Sequence, residues 1–446
     1  MKKYLALILV VGAFILISPF KVSAGEAKED WKNNLDLSDS ISTSVVELDD
    51  GVVVMQYEGG ASDNNLLIKY DFKGNQLWSI KNNYGYHIAS LGDSFLVYTT
   101  GKDYSITKIS SQGELVWTKE YNSEGSYSVS DWTSFSSSQV IKIDSGFIIF
   151  SDNCIGLYDD NGTFIKYITF SDVYYSEFDK EARNISDFSV ALSSDGESIL
   201  IAFLTREFVT PRYGYYYVVA RYSLDLNYQE SVRYYTPTAY YPLFKMIETE
   251  NNYILTGEYT LVLDKKGEVK RVLNVSMIDF EYIDGYVYAY IGKTEEDYGI
   301  YSTYVAKYDE NLKKIDEYKL PFAFSSTSSN EINTTGFLEM KNRSVFYKNG
   351  DDVYSIVLNS PMSNVSTGYV RPINDLDYTL SSKYNISQYK LANGSTGSEV
   401  TDDGIIDNIF ENPETSSVVV IITFVVLVLI GGLGFYLGYK KKVKSE

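Results

Sequence analysis

The sequence predicts an all-β chain that repeats one four-stranded unit about seven times around a ring, and three observations predict it. The first is a tight turn between apolar runs. It reads Asp71-Phe72-Lys73-Gly74-Asn75-Gln76-Leu77-Trp78, and returns as Ser110-Ser111-Gln112-Gly113-Glu114-Leu115-Val116-Trp117, Asp159-Asp160-Asn161-Gly162-Thr163-Phe164-Ile165 and Asp264-Lys265-Lys266-Gly267-Glu268-Val269. Worn versions are Ser223-Leu224-Asp225-Leu226-Asn227 and Asp309-Glu310-Asn311-Leu312-Lys313. Gly takes the positive φ that other residues resist, and the Asp carboxylate bonds nearby backbone, so each copy reads as a hairpin. The second observation is an apolar strand upstream of each turn, entered through Asp, Asn or Gly, as in Asp49-Asp50-Gly51-Val52-Val53-Val54-Met55 and Asp144-Ser145-Gly146-Phe147-Ile148-Ile149-Phe150. Two hairpins in tandem make four strands. The third is spacing. With the turn-glycine position as ruler, Gly74, Gly113, Gly162, Asp225, Gly267 and Asn311 lie roughly 40 to 60 residues apart, the scale of one propeller blade.

Counting units gives 43–82, 85–121, 132–170, 186–235, 243–277, 278–320 and a worn seventh at 329–359. The longer intervals hold loop-like insertions, Asn122 to Ser138 and Arg206 to Tyr217 around Pro211. One blade cannot bury both of its faces, so the units must pack radially and the ring must close into a β-propeller over 43–359. Composition agrees: 42 Tyr and 22 Phe against 8 Pro favour pleated, half-buried strands.

The Asp-x-x-Gly-x-x-x-Trp turn after a strand, as in Asp71 to Trp78, resembles the repeat of PQQ-like (quinoprotein-type) bacterial β-propellers. The resemblance covers most of 43–359, is sharp in about three copies, and implies an architecture without the quinone. The repeat residues themselves read as structural: Trp78 and Trp117 pack between adjacent blades, the glycines enable turns and the aspartates satisfy backbone.

Charge and rare residues narrow the function classes. A net charge of -20 repels nucleic acid and anionic lipid. One Cys (Cys154) forms no intrachain disulfide, and one His (His87) builds no multi-His metal site. His87 is expected on a strand or turn, without a nucleophile and acid around it. Asp152-Asn153 and Asp159-Asp160-Asn161-Gly162 offer oxygens for calcium but match no complete EF-hand spacing, so they read as solvated turns and no cofactor is expected.

The termini read as targeting segments. Met1-Lys2-Lys3, the apolar run Leu5 to Ile17 and Val22-Ser23-Ala24 form a signal peptide over 1–24, cleaved after Ala24. Residues 25–42 are a lead-in expected only to cover an edge. Val418 to Tyr439 carries no charge and precedes a basic tail at 440–446, as one C-terminal transmembrane helix over 417–439 requires, with the chain's bulk outside. Just before it, Asn412-Pro413-Glu414-Thr415-Ser416 resembles the cell-wall sorting signal of Gram-positive surface proteins. That resemblance implies recognition through Asn412, Pro413 and Thr415, cleavage after Thr415 by a sortase and attachment to peptidoglycan. Asn412 is the less common variant where Leu is usual, Ser416 departs from the usual Gly or Asn at the fifth position, and a turn ahead of a plain membrane anchor accounts for the same stretch. Between them, 360–416 is rich in Ser, Asn, Thr and Gly and reads as a stalk, with Tyr378 to Tyr389 as a weak strand packing back.

The function expected is a non-enzymatic, surface-displayed recognition module for glycan or protein partners. Its contact surfaces are the tyrosine-rich loop Tyr213 to Tyr217, with Tyr213, Tyr215 and Tyr216, and the run Tyr234 to Pro242, with Tyr240 and Tyr241. Tyr supplies wide contact area and a hydroxyl at low entropy cost. Two alternatives stand beside it: an extracellular glycan hydrolase or lyase, which needs paired carboxylates in a central pocket, and an envelope scaffold or assembly factor.

Overall fold

A computed structural model describes residues 25–35, 42–57, 65–99, 103–122, 139–150, 154–169, 185–209, 212–236, 243–257, 260–273, 277–294, 300–325, 343–359, 362–364, 378–380 and 384–391. Their regular structure is entirely β-strand. Blade 1 comprises, from inner to outer, Ser42–Leu48, Gly51–Tyr57, Leu66–Tyr70 and Gln76–Lys81; blade 2 comprises His87–Ser90, Ser94–Tyr98, Asp103–Ser110 and Leu115–Asn122. Blade 3 comprises Gln139–Ile143, Gly146–Phe150, Cys154–Asp159 and Phe164–Thr169; blade 4 comprises Ile185–Leu192, Ser198–Val209, Arg212–Ser223 and Tyr228–Thr236. Blade 5 comprises Leu243–Glu248, Asn252–Gly257, Thr260–Asp264 and Val269–Leu273; blade 6 comprises Met277–Ile283, Tyr286–Thr294, Ile300–Tyr308 and Lys314–Ser325. Each inner strand touches the next, and Ser344–Asn349 of the last sheet returns to Ser42–Leu48 of the first. The chain is a seven-bladed β-propeller.

The seventh sheet corrects the expected boundaries, because it takes strands from outside 43–359. Ser344–Asn349 and Asp352–Asn359 are followed by Tyr384–Leu391 as third strand, where the weak strand packing back from the stalk is expected, so the blade extends past 359. The outer strand is Lys28–Leu35, paired antiparallel with Tyr384–Leu391. The supposed lead-in thus closes the ring, and Gly25–Glu26 adds a short parallel strand to the outer edge of blade 6. A two-stranded ribbon, Met362–Asn364 with Tyr378–Leu380, belongs to the connection that joins the second and third strands of blade 7. The proposed signal peptide, transmembrane helix and sorting residues Asn412, Pro413 and Thr415 lie outside the described residues. Among the described residues no helix is long and apolar enough to cross a membrane.

The recurring turn works as its residues predict. Asp71 Oδ1 accepts the N–H groups of Lys73 (2.9 Å) and Asn75 (2.8 Å), and Asp159, Asp264 and Asp309 do the same two and four residues on. In the two worn copies the ruler shifts by one residue. The positive φ falls on Leu226 (56°) and Leu312 (57°), not on Asp225 and Asn311. Both leucines are buried, and apolar burial of about 2 kcal/mol offsets the left-handed backbone.

A feature hidden from the sequence explains how turns join blades. In every outer strand the pairing skips one residue, at Leu77, Val116, Ile165, Gln229, Lys270, Ile315 and, in the N-terminal strand, Asp30. Such a bulge bends the strand and re-aims the residue that follows. Trp78 therefore lies over Gly113 of the next blade and donates Nε1–H to the Ser111 carbonyl at 3.0 Å. Trp117 does the same over Gly162, to Asp160 (3.1 Å), and Trp31 over Gly74, to Phe72 (3.1 Å). Lys166 replaces the indole at the next seam, reaching the carbonyls of Asp225 and Leu226 at 3.2 Å, and Arg271 reaches that of Asn311 at 3.3 Å. Behind these contacts the core divides into seven apolar clusters, one for each seam.

Antiparallel order gives the disc two unlike faces. All first-to-second and third-to-fourth strand turns within blades lie on one side, the turn face, and they are short. The second-to-third connections and the links between blades leave from the opposite side, the loop face.

Candidate functional site

The loop face is uneven because blade 4 is tall. Its second and third strands have 12 residues each, against 6 and 5 in blade 5. At about 3.3 Å per residue the excess is about 20 Å of paired ribbon. Pairing continues without interruption from Ser198↔Ser223 to Val209↔Arg212, so Tyr213 to Tyr217 form a strand and not the expected loop. Aromatic and β-branched residues fit a pleated surface, which is why a tyrosine-rich insertion extends the hairpin.

The ribbon joins the two tyrosine runs singled out in the sequence. Tyr216 pairs with Tyr235 and Tyr217 with Tyr234, while Tyr213 and Tyr215 oppose Phe208 and Arg206. Tyr217 is buried against blade 5 with Leu204, Val219, Met246 and Leu255, and its ring stacks on Tyr234 at 6.5 Å. Tyr216, on the other face, is half-buried against the cluster between blades 3 and 4. Tyr240 and Tyr241 lie outside the described residues.

Near the axis the structure assembles a charged group that no local motif announces. Lys245 of blade 5 donates to Asp279 (2.7 Å) and Glu281 (2.8 Å) of blade 6, and Ser344 of blade 7 donates to the other Asp279 oxygen at 3.0 Å. Burial alone would lower the Lys245 ammonium, but the two carboxylates outweigh it and hold it well above its ordinary range. A lysine kept charged is a structural tie and not a nucleophile, since amine chemistry needs the free base. Glu47 of blade 1 is pushed up to about 7 by burial, and further by the charges of Glu281 and Asp49.

Glu47 carries a pH prediction. Its folded value lies above its unfolded value, so the folded state holds a proton that the unfolded state has released. Its contribution favours folding at low pH and is lost as pH rises from about 4.5 to about 7. With Glu47 partly solvated, the loss is expected at about 1–3 kcal/mol. In urea unfolding, Glu47→Gln should be the more stable chain at pH 8 and match the parent at pH 4.5. Equal pH slopes would sink the assignment.

A second charged tie sits on the turn face between blades 4 and 5. Buried Glu248 accepts from Arg221 Nη2 and Lys265 Nζ, each at 2.5 Å, and from the Ser194 N–H at 2.8 Å. Burial alone would raise this carboxyl, but Lys265, the Ser194 N–H and Arg221 together hold it below its ordinary value. His87 opens the inner strand of blade 2 between Tyr86 (4.7 Å) and Tyr98 (5.2 Å). Burial lowers it to about 4, so it packs as a neutral ring at pH 7. Asp159 spends its carboxylate on its own turn, and Asp152 lies outside the described residues. Among the described residues no three His, Cys, Asp or Glu side chains converge as a metal site.

Comparison with known proteins adds little to this geometry. No family model matches the chain. No curated protein matches it either. Solved structures with a similar course include the WD40 domain of Neurospora crassa Pan2, at 9% identity and TM-score 0.36, covering 84% of this chain and 98% of that one. The WD40 β-propeller domain of Doa1 is 9% identical with TM-score 0.40, covering 81% and 96%. The β-propeller domain of the Trilobed protease from Pyrococcus furiosus is 11% identical with TM-score 0.38, covering 70% and 89%.

Proposed function

We propose that this propeller is a non-enzymatic recognition module on the outer surface of a Gram-positive cell, binding a glycan or protein partner on its loop face. The raised tyrosine ribbon of blade 4 carries the reading. Six extra residues in a strand, held in continuous register, are a rigid projection that ring closure does not need. Rigid aromatic projections bind with little entropy loss. The order of signal peptide, Asn412-Pro413-Glu414-Thr415, apolar segment and lysines supports display at the envelope, by sortase attachment or by the span Val418 to Tyr439. A second reading, glycan hydrolysis, draws on Glu47, whose carboxyl titrates near neutrality in view of Glu281.

The test places residues 25–411 on an array of glycans and cell-wall polymers, with and without calcium. Selective binding is expected to survive moderate salt and to fall at least tenfold in a Tyr215→Ala, Tyr216→Ala variant that remains folded. Silence across the array would remove the glycan version. Bond cleavage that Glu47→Gln abolishes would replace recognition with hydrolysis.

A further inference from the structure

Blade 7 is assembled unlike the other six, and its seams are sealed differently. Four buried oxygens without a hydrogen-bond partner lie on its two sides: Thr303 Oγ1 and Ser387 Oγ, and Thr43 Oγ1 and Gln56 Oε1. The residues are only 0%, 1%, 5% and 3% exposed. Strand alternation assigns them to seams. Thr303 and Ser387 stand two residues from Val305 and Tyr389, which pack in the cluster between blades 6 and 7. Thr43 and Gln56 stand two residues from Val45 and Val54, in the cluster between blades 7 and 1, and face each other across the two inner strands of blade 1. A buried hydroxyl or amide oxygen needs a partner, and where protein supplies none an internal water does.

The covalent arrangement singles out the same blade. Its fourth strand, Lys28–Leu35, comes from the opposite end of the chain and is exposed along most of its length. Besides its ladder, Trp31 on Phe72, Asn33 Nδ2 on the Gly74 carbonyl (2.6 Å) and Asp30 on Gln388 (2.7 Å) hold it. Two of these three contacts reach blade 1 and not blade 7, so the strand ties the seam shut from outside.

We infer that blade 7 is the opening segment of the ring: it carries internal water on both faces and separates from blades 6 and 1 as one unit, with Lys28–Leu35 as its latch. Blades 1 to 5 keep their pairing when it opens. Partial openings of this kind follow supersecondary units and low local cohesion.

Hydrogen exchange of the full chain, followed by mass spectrometry, tests this. Peptides from 28–35, 344–359 and 384–391 should exchange together, at least tenfold faster than peptides from 52–57, 95–98 and 199–204. Trp31→Ala should speed the first group at least tenfold and leave the second unchanged. Thr303→Val with Thr43→Val removes two unpartnered oxygens at nearly constant volume and should slow the first group severalfold. Exchange of blade 7 at the rate of blades 1, 2 and 4 would overturn the inference. So would a Trp31→Ala effect spread evenly over all blades, or valine variants that leave blade 7 unchanged or speed it.

Discussion

Gly146→Ala is expected to destabilise the propeller by more than about 4 kcal/mol, while Gly196→Ala, another turn glycine at positive φ, is expected to cost only about 1–2 kcal/mol. Gly146 lies at φ +150° where the second strand of blade 3 begins, paired with Asp159. A Cβ there would stand 2.0 Å from the Tyr158 carbonyl oxygen and 2.7 Å from the Asp159 Cα. These are backbone atoms of the neighbouring strand, and they can retreat only by breaking the ladder between two central strands. At Gly196 (φ +74°) a Cβ meets nothing within 4 Å, so only the left-handed backbone is penalised. Urea unfolding of both variants separates the two causes. Equal losses would show that φ alone, and not close approach, sets the demand for glycine. Gly51 in blade 1 repeats the arrangement, 2.1 Å from the Tyr70 carbonyl, and should behave like Gly146.

Lys245→Met should cost about 3–5 kcal/mol, the usual penalty for leaving a buried charge without its partner. The variant strands Asp279, which is nearly fully buried, and brings it into uncompensated repulsion with Glu281. Ser344 and the Phe280 N–H still donate to Asp279 but carry no charge. Combining Lys245→Met with Asp279→Asn should recover part of the loss, with a coupling of about 0.5–3 kcal/mol. Strict additivity in denaturant unfolding would mean that the two residues do not act as a pair. The same experiment measures how far blades 5 and 6 depend on charge, where blades 1 to 3 depend on indoles.

The repeats were legible because each turn is local. Asp and Gly at fixed offsets specify a hairpin without reference to the rest of the chain, and six of the seven blades lie close to their expected spans. What escaped was nonlocal. Tyr384–Leu391 reads only as part of a weak strand packing back from the stalk, because Asn385, Ser387 and Gln388 are polar, yet all three are buried in a central strand position. Gln388 receives the Tyr347 hydroxyl at 2.8 Å and donates to Asp30, 358 residues away in the chain. Trp31 has the same role as Trp78 and Trp117 but follows no turn, because the strand beside it, Tyr384–Leu391, is not its neighbour in the chain. Lys245, Asp279, Ser344 and Glu47 come from four blades, and nothing in their local sequence distinguishes them from solvated charges. The tyrosine ribbon shows in the sequence as composition, but Tyr213 to Tyr217 form a strand where a loop is expected. Strand propensity in Tyr213 to Tyr217 favours pairing, and the ladder runs on to Val209↔Arg212.

The pairing of Lys28 with Lys390 brings the two ends of the described chain together on the turn face, beside blade 7. The disc is thus held by its rear, as a dish is by its bracket, at the point where Lys28 and Lys390 meet. The tyrosine ribbon points the other way. In a chain trimmed to 25–391, a bulky reporter or a solid support joined at either end starts from the face opposite the ribbon.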